Sequence, residues 1–359
     1  MQTIKAALCR EFGAPLSIEE IEIAPPGAGQ VKVTLDAVAI CHSDISYAEG
    51  AWGGDLPAVY GHEAAGKITA LGQGVKGFAP RDRVVVTLIH ACGTCPSCAG
   101  GKPTICETPR DGTIRDREGQ PLLKAMACGA FAEKVVVDQS QIVKIPDSLA
   151  SDRACLLACG VITGVGAAVN AAGLRAGQDA VVVGAGGVGL NAIQGARIAG
   201  ARRIVAVDMT EDKLAMAREF GATHGVLATE KSPARAVRKA LGGRGADVVM
   251  VTVGAIPAYD EAVKYLGWGG RAIMIGMPHA EGRAQYSPMG MSFQGQGLIG
   301  SKMGDVVIQR DIPWMIDLYE QGRLKLDELI SGRWSLDQIN EAVADTKAGG
   351  ARRNVIMLR

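Results

Sequence analysis

Residues 179–208 read DAVVVGAGGVGLNAIQGARIAGARRIVAVD. An apolar run ends in glycines, a helical stretch follows, and a second apolar run closes on an acid. The motif Gly184-x-Gly186-x-x-Gly189, with Gly187 and Val188 inside it, directly follows AVVV. Glycines at this spacing permit a tight turn and let the backbone approach a pyrophosphate at a helix N-terminus. Glycine-rich turns are common, so the context carries the weight. Asp208 ends the next run, nineteen residues past Gly189, where a carboxylate accepts the hydroxyls of an adenosine ribose. That carboxylate repels a 2′-phosphate, and Met209 rather than an arginine follows it. The stretch therefore predicts a βαβ unit that takes NAD in preference to NADP. The neighbouring Arg202 and Arg203 read as solvated loop charges.

Downstream, EDKLAMAREFGA has the apolar spacing of a helix. GVLA, ADVVMVTVG and RAIMIGM read as strands and alternate with the helical stretches PARAVRKALGG and AYDEAVKYLG. Alternation at this length predicts an α/β, doubly wound parallel sheet. Upstream the character differs. IEEIEIAPPGAGQVKVTLDAVAI alternates apolar and polar residues and breaks at Pro25, Pro26, Gly27 and Gly29, which is strand, turn, strand. Short strands continue in GKITALG, RVVVTLI and AFAEKVVVD, predicting an irregular, barrel-like β domain. At the end, DIPWMIDLYEQGRL reads as a helix, SLDQINEAVADTKAG opens on a Ser335–Gln338 capping box, and RNVIML reads as a strand. This tail is expected to return to the first domain, giving a catalytic domain of 1–160 with 303–359 and a nucleotide domain of 161–302.

A chain of 359 residues with 38 basic and 37 acidic side chains carries no electrostatic footprint for nucleic acid or an anionic membrane. The start, MQTIKAALCREFG, lacks a long apolar run, so a cytoplasmic location is expected. The uncharged stretch Ala154–Gly173 approaches the ~20 residues of a membrane span. Its glycines and alanines, with Thr163 and Asn170, fit a buried segment between domains better.

Residues 92–106, CGTCPSCAGGKPTIC, place Cys92, Cys95, Cys98 and Cys106 in a C-x2-C-x2-C-x7-C spacing. A reducing compartment disfavours disulfides. Thiolates also hold iron–sulfur clusters, but four close thiolates in a loop suit tetrahedral zinc. A closed four-sulfur shell leaves no position for a substrate, so this lobe, about 90–107, reads as structural. Chemistry is then expected elsewhere. Cys41 and His42 lie in ICHSD, His62 and Glu63 in YGHEAAG, and Cys159 in LLACGVITG. Singly, each reads as an ordinary buried residue. Together, Cys, His and Cys around a zinc with an open fourth position form a catalytic pattern. Cys9, Cys128 and Cys155 read as packing residues.

In this order, C-H-S-D, G-H-E-A-A-G, the four-cysteine lobe, L-A-C-G-V-I-T-G, G-A-G-G-V-G and the late acid cover almost the whole chain. With them the sequence resembles the zinc-containing medium-chain alcohol dehydrogenases, most closely the branch of the class III enzymes and their bacterial relatives. The resemblance implies a GroES-like catalytic domain and a Rossmann domain with the active site in the cleft between them. It implies two zinc ions per chain, a catalytic one on Cys41, His62 and Cys159 and a structural one on the lobe. Ser43 would receive the alcohol proton, Asp44 would orient His62 and Glu63 would lie behind the zinc. His42 and Arg353 would approach the coenzyme pyrophosphate, Thr163 the nicotinamide and Lys213 the adenosine ribose. The implied reaction is reversible hydride transfer between a primary or secondary alcohol and NAD, giving an aldehyde or ketone, in a homodimer or homotetramer.

Two departures from the family pattern matter. Ser46 stands where many relatives carry the histidine that finishes the proton relay, so a water chain or another exit is expected. Class III enzymes use a glutathione adduct of formaldehyde and place acids in the loop between the first two ligand motifs. Here that loop, EGAWGGDLPAVY, carries Trp52 and Gly53 at its centre, which gives thiol-adduct-dependent formaldehyde oxidation no support. Leu88, Ala125 and Met126 align where some relatives carry aromatics. This predicts a roomier apolar pocket for bulky or aromatic alcohols with Trp52 at its mouth, against the plainer reading that all four pack loops. The rival functions are a nicotinoprotein that keeps its NAD bound and a non-catalytic zinc- and NAD-binding redox sensor. A zinc-free quinone or enoyl reductase of the same superfamily is a third. The complete set of Cys41, His62, Cys159 and Ser43 speaks against the last two.

Overall fold

In the computed structural model, which describes residues 1–108 and 114–359, the chain forms two compact units. One comprises Met1–Cys159 and Val307–Arg359, the other Gly160–Val306.

The first unit is mostly antiparallel β-structure. Its spine is the strand Gln30–Ala39, whose alternation buries Val31, Val33 and Leu35 before a register shift beyond which Ala37, Val38 and Ala39 are all buried. It pairs with Glu63–Leu71 and Lys134–Asp138, and with the C-terminal strand Arg353–Met357 through Val355↔Ala39. The tail is thus sewn into this sheet. A second, closed set joins Gln2–Cys9, Ser17–Ile23, Ile114–Asp116, Pro121–Lys124 and Ala58–Val59. Apolar faces from both sets fill the interior, with Phe131, Leu8 and Ile21 among its largest fully buried side chains.

The second unit is a six-stranded parallel sheet. Its strand order is His224–Leu227, Arg203–Asp208, Asp179–Val183, Ala246–Val251, Leu266–Met274 and Gly297–Gly300. All five residues of the central strand DAVVV are buried, as a strand covered on both faces requires. The helix Gly187–Ile198 follows the glycine turn and packs against the helix Gly160–Gly166. Small residues set that contact. A Cβ on Gly164 would lie 2.4 Å from the Val188 carbonyl oxygen, and one on Gly195 2.8 Å from Val165 Cα.

The glycine and alanine content of 154–173 is thereby explained by close packing. The stretch is broken into short helical pieces, and no single helix among the described residues is long and apolar enough to cross a membrane. Gly195→Leu should force the two helices apart. The expected cost is about 1–3 kcal/mol, read as a lower thermal midpoint with the circular dichroism of the β unit unchanged.

Candidate metal centres and nucleotide turn

Cys41 caps the start of the helix His42–Ala48 with extended backbone, φ −102° and ψ 149°. Asp44, third in that helix and buried, is the hub of the local geometry. Its Oδ2 accepts the Cys41 N–H at 3.1 Å, and its Oδ1 accepts the Gly61 N–H at 2.9 Å. The same Oδ1 lies 3.0 Å from His62 Nδ1. Facing a carboxylate, Nδ1 carries the ring proton, which leaves the Nε2 lone pair aimed the other way. Cys159 follows the 3-10 turn Cys155–Ala158, which packs against the strand Glu63–Leu71. One ligand atom each from Cys41, His62, Glu63 and Cys159 lie within 4.8 Å of one another.

These groups are all buried, and among the described residues His62 Nε2, both Glu63 oxygens and Arg353 Nη2 have no hydrogen-bond partner. Arg353 Nη1 donates to the Ile40 carbonyl at 3.2 Å and stands 3.4 Å from Glu63 Oε1, an ion pair without hydrogen-bond geometry. The hydrogen bond from Cys159 and the nearby imidazole hold the Cys41 thiol well below its usual range. That same bond and burial push Cys159 up. Burial disfavours a charged His62, yet the Asp44 carboxylate prevails and raises it. Burial pushes Glu63 up to about 7 despite Arg353. Orphaned polar atoms in a dry interior are costly. Two sulfurs and an unpartnered imidazole nitrogen converging there form a donor set that fits zinc.

The second cluster holds Cys92, Cys95, Cys98 and Cys106, all partly exposed, again with their sulfurs within 4.8 Å. Backbone amides converge on these sulfurs. Cys92 Sγ accepts from Thr94 N at 3.4 Å and Cys95 N at 3.3 Å. Cys95 caps a short helix, Pro96–Ala99, and accepts from Cys98 N at 3.4 Å. The Thr108 hydroxyl and the amides of Cys95 and Thr94 hold the Cys92 thiol down to about 5. Burial and the neighbouring thiols push Cys98 up to about 12. Four thiolates repel one another until a cation joins them, and this set also fits zinc.

In the other unit, Gly184 takes the left-handed φ of +93°, and a Cβ there would sit 2.3 Å from Val253 Cγ1. A Cβ on Gly189 would lie 1.8 Å from the Gly184 carbonyl oxygen, whereas at Gly186 it would meet nothing within 4 Å. The turn is closed behind and open where its helix begins, as a backbone cradle for phosphate requires. Asp208 has a further task that the sequence did not announce. It is buried, its Oδ2 accepts the Ala185 N–H at 2.6 Å, and its Oδ1 accepts the Met209 N–H at 2.7 Å. The acid braces the turn. Thr252 does the same from the next strand end, its hydroxyl shared between the carbonyls of Val183 at 2.9 Å and Gly184 at 3.0 Å. Thr252 was missed; its place at the carboxyl end of a parallel strand was the available signal.

Among the remaining expected residues, His42 is exposed and Ser43 half-buried on the helix after Cys41. Thr163 is buried, with its hydroxyl 3.7 Å from Met303 Sδ. Lys213 is half-buried on the helix Glu211–Glu219. Trp52 meets Tyr47 edge-on at 4.9 Å, and Tyr47 stacks on Tyr60 at 6.3 Å. Ala125 belongs to the core of the first unit, with Leu88 and Met126 packed at its margin.

A β unit with a buried Cys–His–Cys set, joined in one chain to a glycine-turn nucleotide fold, defines a metal-dependent oxidoreductase. The alcohol dehydrogenase GroES-like domain matches residues 27–147, and the zinc-binding dehydrogenase domain matches 187–321. An NDMA-dependent alcohol dehydrogenase of Amycolatopsis methanolica is 36% identical, covering 98% of both chains. Alcohol dehydrogenase B of Mycobacterium tuberculosis is 35% identical, covering 98% of this chain and 97% of the relative. Among solved structures, benzyl alcohol dehydrogenase from Acinetobacter calcoaceticus superposes with a TM-score of 0.94 at 28% identity, covering 100% of both chains. The chain belongs to the zinc-containing medium-chain alcohol dehydrogenase family, and it is an oxidoreductase.

Cys95→Ser removes one sulfur and a helix cap together. It should cost about 2 kcal/mol or more, seen as a fall of several degrees in thermal midpoint, while turnover measured in the cold persists. A full-strength midpoint with unchanged zinc content would contradict the role of the lobe.

Proposed function

We propose that this chain oxidises an alcohol to an aldehyde or ketone with NAD, reversibly, at a zinc site built from Cys41, His62 and Cys159. The unpartnered Nε2 of His62, aimed at two buried cysteines, is the observation that carries this reading. Zinc in such a set supplies Lewis acidity, and NAD supplies the hydride acceptor. The rest is work for the chain's own residues. Asp44 holds the His62 tautomer and, through the Cys41 amide, the start of the helix that carries Ser43. The Ser43 hydroxyl takes the substrate proton. Ser46 is a poor acceptor, so water completes the exit. Arg353 and Glu63 balance charge behind the site, leaving Arg353 Nη2 for a coenzyme phosphate alongside His42. Thr163 would lie by the nicotinamide. A second zinc on Cys92, Cys95, Cys98 and Cys106 is structural.

Asp208 favours NAD because its carboxylate, already saturated by two amides on one side, retains lone pairs for ribose hydroxyls and repels a 2′-phosphate. Lys213 would lie near that ribose. The substrate class is bulky or aromatic alcohols. Its support is the fold shared with a benzyl alcohol dehydrogenase and the aromatic pair of Trp52 and Tyr47. The chain would assemble as a homodimer or homotetramer through the end strand Gly297–Gly300, beside which Trp268 and Phe293 stand about 70% exposed with rings 5.4 Å apart.

A second reading keeps the coenzyme bound and passes electrons to an external acceptor. The relative described as NDMA-dependent favours it, since that name specifies an added compound. Nucleotide released on denaturing the purified protein separates the two: less than stoichiometric release supports exchangeable NAD, and one per chain supports the bound form.

The primary test is NADH formation from NAD with short aliphatic, branched secondary and aromatic alcohols, each with and without glutathione. Turnover of the bulky alcohols without thiol is expected, and silence across the panel from a zinc-loaded protein would overturn the reading. Asp208→Ala should weaken NAD binding and narrow the NAD-to-NADP ratio of kcat/KM by about tenfold or more. An unchanged ratio would remove the basis for NAD.

A further inference from the structure

Among the described residues the parallel sheet has a second unpaired edge, the strand His224–Leu227, and beside it lies an open groove of about 890 Å3. Four exposed cations surround it: Arg218 from the end of one helix, Lys231 from a loop, and Arg235 and Lys239 from the helix Pro233–Ala240. Among the described residues, none of the four is paired with a carboxylate, and Glu230 is the one acid in the lining. Elsewhere in the chain Arg202, Arg310 and Arg333 each hold an aspartate. Four like charges facing one hollow repel one another, and a multivalent anion relieves that repulsion.

The lining also offers the hydroxyls of Thr223 and Ser232. Ser232 precedes the helix without making a capping bond. Val226, Ala236 and Ala240 supply an apolar floor. Guanidinium forks match phosphate oxygens in pairs, and ammonium groups complete the neutralisation. The hollow is an open surface groove, roomier than one inorganic phosphate needs. None of the glycine turn, Asp208 or Lys213 lines it.

We propose that this groove is an anion site, separate from the coenzyme turn, that takes a small organic molecule carrying two phosphates. Arg218 and Arg235 grip the phosphates, Lys231 and Lys239 complete the charge, and the floor receives the carbon skeleton.

The test is calorimetric titration of the zinc-loaded protein with fructose 1,6-bisphosphate at a fixed ionic strength of about 150 mM, with and without saturating NADH. One saturable site per chain that persists with NADH is expected. Arg235→Gln with Lys239→Gln should weaken it by about tenfold or more, with the KM for NAD unchanged. Arg218→Gln should weaken it independently. Tricarballylate, matched in charge but lacking phosphate, should bind more weakly. No saturable binding would overturn the proposal, as would equal affinity in the variants or loss of the site when NADH is present. Self-association of the double variant, with no bisphosphate binding by the parent, would show that the cations only guard the sheet edge.

Discussion

Much of the first unit's chemistry hangs on one buried carboxylate. Asp44 accepts the amide of Cys41, the amide of Gly61 and the Nδ1 proton of His62. Those contacts tie a helix start to a strand start eighteen residues away and decide which imidazole nitrogen faces the cysteines. Without the carboxylate, the ring could present either nitrogen and the two backbone amides would be left buried and unpaired. The candidate donor set is therefore positioned by hydrogen bonds from the fold itself, as a selective metal site would need.

Charge balance is the second constraint. A zinc held by two thiolates would be neutral, and Glu63 Oε1 stands 3.4 Å from Arg353 Nη1 behind them. Among the described residues the Glu63 carboxylate oxygens have no hydrogen-bond partner, and burial, with Cys41 and Asp44 nearby, drives the group toward neutrality despite Arg353. Arg353 comes from the last strand of the chain, so the C-terminal return of the fold delivers a countercharge to residues near position 60. The nucleotide turn follows a parallel logic: Asp208 and Thr252 come from strands on either side of Asp179–Val183 to fix the backbone of one loop.

The sequence disclosed those parts whose physics is local. The glycine turn, the alternating strands and helices of the second unit, the clustering of the four cysteines and the Ser335–Gln338 capping box each depend on a short window, and each forms in the structure. Strands that owe their existence to partners were not visible. Ile114–Asp116 and Pro121–Lys124 are too short for a period to show, and Gly297–Gly300 has only a parallel neighbour to define it. Cys159 had no local signal, being 97 positions beyond His62; zinc-ligand chemistry grouped it with Cys41 and His62, and the resemblance to a family added their roles. The ion pair of Glu63 with Arg353 spans 290 positions and was not foreseen for the same reason.

The six-stranded sheet ends in two chemically opposite borders. One, at Gly297–Gly300, is uncharged and flanked by exposed aromatic rings; the other, at His224–Leu227, is fringed with cations. A strand that meets its own copy at the uncharged border consumes that border in both molecules. The continuous sheet then terminates on a cationic strand at either end, where a third molecule meets repulsion. Growth along the hydrogen-bonding direction would then be self-limiting, and the abundant apolar strands would not run on into an open-ended ribbon.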